Sequence, residues 1–195
     1  RFWPPTRTCP KGWLRSPSDG HQISCGHLKN RSKVQFTFNK GDIMTLSIEE
    51  ISDRMEIQDL LVRYCYAVDH RDFDDLANVF TTDAIIDYSV FGGSVGNPTE
   101  TIAYLKEAMP MFASFQHMIS TSRIELNSDT AKVKTICHNP MVMPMGEELV
   151  VFTCGLWYVD EMVRTADGWR ISKRVEESSY MKDMPGMPVQ GPKKV

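Results

Sequence analysis

An α+β fold is predicted, with three helices packed on one strongly curved, mostly antiparallel sheet. Three observations carry the prediction. Apolar residues recur at helical spacing between residues 47 and 112, the period changes to two from residue 116 onward, and turn signals divide that second region into four strands. One further strand falls between the helices, giving the order ααβαββββ.

From Ser47 to about His70 the pattern is helical, and Ser47 and Glu50 have the spacing of a capping box. Asp69 falls beneath Ile51, Met55, Val62 and Cys65, on what reads as the buried side. Glu49, Ser52, Glu56, Asp59, Arg63 and His70 cluster opposite, while Arg54 and Gln58 intrude on the apolar arc. Asp72 is placed to cap a second helix carrying Phe73, Leu76, Ala77 and Phe80. "DAIIDYSV" reads as a strand with Ala84, Ile86, Tyr88 and Val90 on one face, ended by "FGGSVGN". Asn97, Pro98 and Glu100 then occupy the cap, first-turn and box positions of a third helix, whose apolar face is Ile102, Leu105, Met109 and Phe112. Pro110 stops or bends it.

The four remaining strands are "QHMISTSRIEL", "TAKVKTICHNPMVM", "ELVVFTCGLWYVDEMVRT" and "GWRISKRVEESSYM", separated by "NSDT", "PMGEE" and "ADG". The Pro/Gly-rich end, taken as a flexible tail over residues 183–195, is either a loose terminus or a flap over the open end of the sheet. A sheet bent around helices leaves a cavity at its wide end, the usual place for a small molecule. Met109, Met111, Met118, Met141, Met143 and Met145 come from segments that reach it, as an adaptable apolar lining or as ordinary core filling.

Composition narrows the function classes. A chain of 195 residues with 42% hydrophobic content supports one domain with a single core and an appendage. No apolar run approaches the roughly 18 residues needed to span a bilayer, so a soluble, cytoplasmic protein without a membrane partner is expected. Five cysteines without a CxxC spacing argue against a disulfide framework, and Cys9, His21, Cys25 and His27 match no common zinc spacing, so no metal is expected. The formal charge of −3 hides an asymmetry, with net +6 over residues 1–43 and net −9 over the rest. Residues 1–45, rich in Pro, Gly, Ser and Lys/Arg with one strand-like run, "KVQFTFNK", are expected to form a disordered basic extension. Residues 1–43 are expected not to belong to the folded unit, as an overlong gene model would explain; Met44 lies just before the first helix. Its charges are scattered and the domain that follows is acidic, which disfavours nucleic acid as a partner.

Two histidines fall in predicted strands of the folded part, His117 in "SFQHMIST" and His138 in "TICHNPM". A neutral imidazole takes a proton well when a carboxylate orients its other nitrogen, and Asp69 is the carboxylate that needs a reason to be buried. Periodicity alone leaves other readings open: Asp69 as a cap or a frayed helix end, and either histidine as a packing residue.

The stretch "IEEISDRMEIQDLLVRYCYAVDHRDFDDLANVFTTDAIIDY", the "FQHMIS" strand and the ending "VDEMVRTADGWRISKR" resemble the SnoaL-like branch of the nuclear transport factor 2 (NTF2)-like superfamily, over about residues 46–182. The nearest likeness is to the scytalone dehydratase and hexachlorocyclohexane dehydrochlorinase branch, whose fold is an α+β cone. The resemblance implies an Asp–His pair at Asp69 and His117, and a pocket tyrosine at Tyr88. The tyrosine that precedes the aspartate in the dehydratase is Val68 here, and His138 lies on the strand where the dehydratase has a further histidine. Val68, Tyr64, Phe112, Met118, His138 and Trp157 are the expected substrate-contacting residues.

Together these features imply a cofactor-independent lyase, isomerase or cyclase acting on a small, largely apolar carbonyl or hydroxyl compound. His117 takes a proton, Asp69 orients it and Tyr88 stabilises charge on oxygen; no metal or organic cofactor is required. Since this superfamily also hosts modules that only bind small molecules or other proteins, and structural subunits beside oxygenases, a non-catalytic role is the alternative. A homo-oligomer, dimer or trimer, is the expectation from the resemblance.

Overall fold

The computed structural model describes residues 45–187 and 190–192. The expected basic extension, its strand-like run and the Cys9, His21, Cys25 and His27 grouping lie outside them. The first long helix, α1, spans Ile48–Asp69, and both halves of its capping box form: Ser47 Oγ accepts from the Glu50 N–H at 3.1 Å and Glu50 Oε2 accepts from the Ser47 N–H at 3.0 Å. Its buried stripe is Ile57, Leu60, Leu61, Tyr64, Cys65 and Val68. This corrects the expected apolar face, because Ile51, Met55 and Val62 are exposed. Two apolar stripes compete on this helix, and the one with closer i, i+3, i+4, i+7 spacing meets the sheet. Asp69 owes its half-burial to following Cys65 by one turn. Arg54, out of place in an apolar arc, donates from Nη1 to the Ile124 carbonyl at 3.1 Å and ties the helix to the sheet.

The predicted second helix is a single 3-10 segment, Phe73–Asn78, and Asp72 makes no side-chain cap bond. Phe73 and Leu76 are buried, but Ala77 is exposed and Phe80 already belongs to a strand. Six residues are too few to repay α-helix nucleation when the next apolar residue is claimed by the sheet. Two α-helices, not three, therefore pack on the sheet among the described residues. The second, α2 (Pro98–Ala108), forms its capping box as expected, and Pro110 lies in the 3-10 turn Met109–Met111 that follows it.

The sheet has seven strands: β1 (Phe80–Asp87), β2 (Val95–Gly96), β3 (Ser114–Phe115), β4 (Met118–Asn127), β5 (Thr130–Met145), β6 (Glu148–Thr165) and β7 (Gly168–Lys182). Their order is β2-β1-β7-β6-β5-β3, with β4 also on β5. Only β1 and β7 run parallel. The sheet is curled and unclosed, and the core lies between its concave face and the helices. β3 and β4 are successive pieces of one edge, broken at Gln116 and His117. Pro140 on β5, which has no N–H to give the edge, accepts from the Gln116 N–H and marks the break.

Two irregularities reset which side chains face inward on β7. Residues paired with β6 sum one higher after Ser172, and one higher again after Ser179. Each extra residue inverts the alternation. Trp169 and Ile171 are buried before the first bulge; Arg174 is buried after it. No described helix is long and apolar enough to cross a membrane.

Candidate active site

The end of α1 grips the break between β3 and β4. Asp69 accepts from the His117 backbone N–H at 2.9 Å and from its ring Nδ1 at 2.6 Å. Arg71, in a left-handed turn just past the helix, donates to the Phe112 carbonyl at 2.7 Å and lies over the Phe115 ring. His117 is thereby pinned on both flanks, and its side chain is only 6% exposed against 18% for Asp69. An ionised carboxylate is acceptor-only, so Nδ1 carries the hydrogen and Nε2 keeps the lone pair in the neutral ring. The Asn139 Nδ2 is 3.2 Å from that Nε2, and the Asn139 Oδ1 is buried with no hydrogen-bond partner among the described residues.

Beside the imidazole, Tyr64 from α1 and Tyr88 from the end of β1 place their hydroxyls 2.8 Å apart. One hydroxyl donates to the other, and the acceptor's own O–H is left for a third group. Burial pushes both phenols above their ordinary range, against the pull of Arg174, so both remain donors at neutral pH. Beneath them the Arg174 guanidinium lies 4.1 Å from the ring centroids of both Tyr64 and Tyr158. Its Nε and Nη2 each donate to one Asp160 oxygen at 2.8 Å, and both side chains are fully buried. Burial opposes the Arg174 charge, but Asp160 outweighs it and the guanidinium stays ionised.

Of these groups His117, Asn139, Tyr64 and Tyr88 line a cavity of about 180 Å³, which also receives Val68, Phe112 and Glu176. For comparison, a dry engineered cavity of about 150 Å³ takes up benzene, so one substituted ring fits. Residues 183–187 turn back after β7, with Met184 in the cavity wall, and Gln190 pairs with Met181. Of the methionines expected there, Met109 and Met141 line it, joined by Met181 and Met184; Met111, Met118 and Met145 are exposed.

Of the expected residues, Asp69, His117, Tyr88, Tyr64, Val68 and Phe112 converge, Asp69 as the support behind His117. Three do not. Met118 and His138 are paired neighbours on β4 and β5, both turned to the outer face, where His138 Nδ1 meets the Tyr180 hydroxyl at 2.9 Å. Trp157 is also on that face, with Lys134 over its ring. Period two decides all three: Ala131, Val133, Thr135 and Cys137 point inward on β5, so Asn139 follows them and His138 cannot. Likewise Phe152, Cys154, Leu156 and Tyr158 point inward on β6 and Trp157 does not. Asn139 was legible from that alternation. Glu176 was not, because the Ser172 bulge moves it to the inner face.

Desolvation in the cavity, opposed by Arg174 and reinforced by Asp87, pushes the Glu176 carboxyl up to about 8. An unfolded glutamate loses its proton near 4.5. Between those values the folded chain binds more protons than the unfolded one, so stability falls as pH rises through this window. Replacing Glu176 with Gln should flatten that fall. Allowing for water in the cavity, the gain at pH 9 should be on the order of 2 kcal/mol, several degrees in Tm, and near zero at pH 4. Parallel thermal melts of both proteins across pH 4–9 check it; superimposable profiles would refute it.

Comparison with known proteins adds the family. The model of the SnoaL-like domain matches residues 49–175. An uncharacterized protein of Mycobacterium tuberculosis is 47% identical over 143 residues, covering 73% of this chain and 97% of that protein. Among solved structures, a proposed scytalone dehydratase from Novosphingobium aromaticivorans is similar with a TM-score of 0.63 at 17% identity, covering 73% of this chain and 93% of that one. A hexachlorocyclohexane dehydrochlorinase from Novosphingobium barchaimii is similar with a TM-score of 0.60 at 21% identity, covering 73% and 97%. At such identities the two structures speak for the fold alone, and it is the cone built here. The match over residues 49–175 makes this chain a member of the SnoaL-like family.

Proposed function

We propose that the protein is a cofactor-independent lyase or isomerase, cyclisation included, acting on a small, largely apolar carbonyl or hydroxyl compound of about one ring. The observation that carries this reading is the 2.6 Å contact between Asp69 and His117 Nδ1 at the wall of an apolar cavity. His117 Nε2 takes a proton from carbon next to the carbonyl, and Asp69 offsets the charge of the imidazolium that forms. The free hydroxyl hydrogen of the Tyr64–Tyr88 pair donates to the oxygen on which charge develops. Asn139 accompanies both states of the base: its Nδ2 donates to neutral Nε2, and after a half-turn of the amide its unpartnered Oδ1 accepts from the protonated ring. Kinship of fold with a dehydrochlorinase and a proposed dehydratase supports the same class of chemistry.

The test is a panel of cyclic ketones, hydroxyketones and halides. Wild type should turn over at least one class, and His117→Ala should lower kcat by at least about 10²-fold while product or inhibitor still binds by calorimetry. A wild type inert across the panel, or a His117→Ala protein that keeps its rate, would overturn the reading.

A further inference from the structure

Glu176 is the one carboxylate among the described residues that lines the cavity, and the proposed proton abstraction does not use it. It stands on the inner face of β7, two residues beyond Arg174 and opposite Tyr158 on β6. It makes no hydrogen bond or ion pair with any described residue, unlike two other carboxylates of this region. Asp69 is bound to His117, and Asp160 to Arg174. An unpartnered carboxyl in a largely apolar cavity that also holds a base is an arrangement for proton transfer rather than for stability.

We propose that Glu176 is the catalytic acid of this site, giving its proton to a leaving hydroxyl while His117 removes the proton from carbon. This rests on the proposed elimination chemistry and narrows it to compounds whose leaving group is oxygen. The C–H pair becomes the new C=C bond as the proton passes to His117 Nε2, and the C–O pair stays on oxygen, which takes the Glu176 proton and departs as water. The imidazolium and carboxylate left behind are reset by one proton passing between them through water.

Several features of the site favour this role. Hydroxide is a poor leaving group unless protonated, whereas chloride leaves unaided, so an acid in the cavity distinguishes the two substrate classes. A carboxyl whose surroundings hold its proton, in one cavity with a separate base, gives a site an acid and a base at one pH. The groups that bear on the Glu176 carboxyl are Arg174, which favours its charge, and Asp87 and burial, which disfavour it; they leave it protonated at neutral pH. The buried phenols of Tyr64, Tyr88 and Tyr158 stand near enough to feel its charge and are themselves neutral. The Tyr64–Tyr88 pair is then free to serve the carbonyl oxygen while Glu176 serves the leaving one.

The experiment compares wild type, Glu176→Gln and His117→Ala on 3-hydroxycyclohexanone and 3-chlorocyclohexanone, following formation of cyclohexenone above the uncatalysed rate. Gln keeps the shape and cannot donate an acidic proton. Glu176→Gln should lower kcat/KM on the hydroxyketone by about 10²-fold or more, and on the chloroketone at least ten times less. His117→Ala should lose both. Wild-type activity on the hydroxyketone should fall above about pH 8. An unchanged ratio of the two substrates in Glu176→Gln, with His117→Ala inactive, overturns the acid and leaves the elimination reading standing. A wild type inert on both substrates overturns the two together. Independently of turnover, the infrared difference between wild type and Glu176→Gln at pH 6.5 should contain a protonated-carboxyl band, and its absence overturns the proposal.

Discussion

Replacing Asp160 with Ala should remove about 3–5 kcal/mol of folding stability, the largest effect expected of any single polar substitution in this chain. Arg174 is fully buried, and Asp160 is the only carboxylate it bonds among the described residues. Without that carboxylate the guanidinium stays clamped between Tyr64 and Tyr158 with no counter-charge, and neither ring can replace two charge-assisted hydrogen bonds. The cost therefore reflects a stranded charge more than the net value of the pair. Exchanging both partners for apolar residues of similar volume, Asp160→Leu with Arg174→Met, should recover most of the loss, because no charge then remains to be solvated. Urea unfolding checks both: the midpoint of Asp160→Ala should drop at unchanged m, and Tm should fall by roughly 10 °C. A loss below about 1 kcal/mol would mean that water reaches Arg174 and the pair is not buried in solution.

Changing Asp69 to Asn should lower kcat/KM by about 10³–10⁴-fold while the fold persists. The aspartate accepts from both the backbone N–H and the ring Nδ1–H of His117. An amide has one acceptor oxygen. If that oxygen keeps the backbone bond, the NH₂ faces Nδ1 and donates to it, so the ring hydrogen moves to Nε2. A base with its cavity nitrogen already protonated cannot take a proton from substrate, and the countercharge for the imidazolium is lost as well. Stability should change by only about 1 kcal/mol, since the helix end still holds the loop through the backbone bond and through Arg71. Nitrogen-15 spectra of the His117 ring would report the tautomer directly, a readout that mere loosening of the loop would not invert. Activity within tenfold of wild type would show that Asp69 does not orient the base.

Much of this site lay open to reading in one dimension because its parts are tied to local signals. Both capping boxes form as their residues predict, since the hydrogen bonds concerned join positions three apart and need nothing from the rest of the chain. Asp69 is a charge at the end of an apolar helix and His117 one of two imidazoles in predicted strands; the family resemblance pairs them, and they meet across 48 residues. The expected apolar face does not account for the burial of Asp69. Ile51 and Met55, which seemed to define its face, are exposed. Which of two apolar stripes is covered depends on the sheet that covers it.

By itself, then, the order of residues determined the two capped helices and the antiparallel run of long strands, while the pairing of Asp69 with His117 was implied by the family resemblance. Only the folded sheet decided which side chains of those strands enter the cavity. Along a strand the two faces differ by one residue, and a single bulge exchanges them. Ser172 does this on β7, bringing Arg174 onto Asp160 and Glu176 into the cavity. A bulge is the outcome of pairing between strands and leaves no periodic trace in either one, so no reading of the chain alone could have put Glu176 in one cavity with the base.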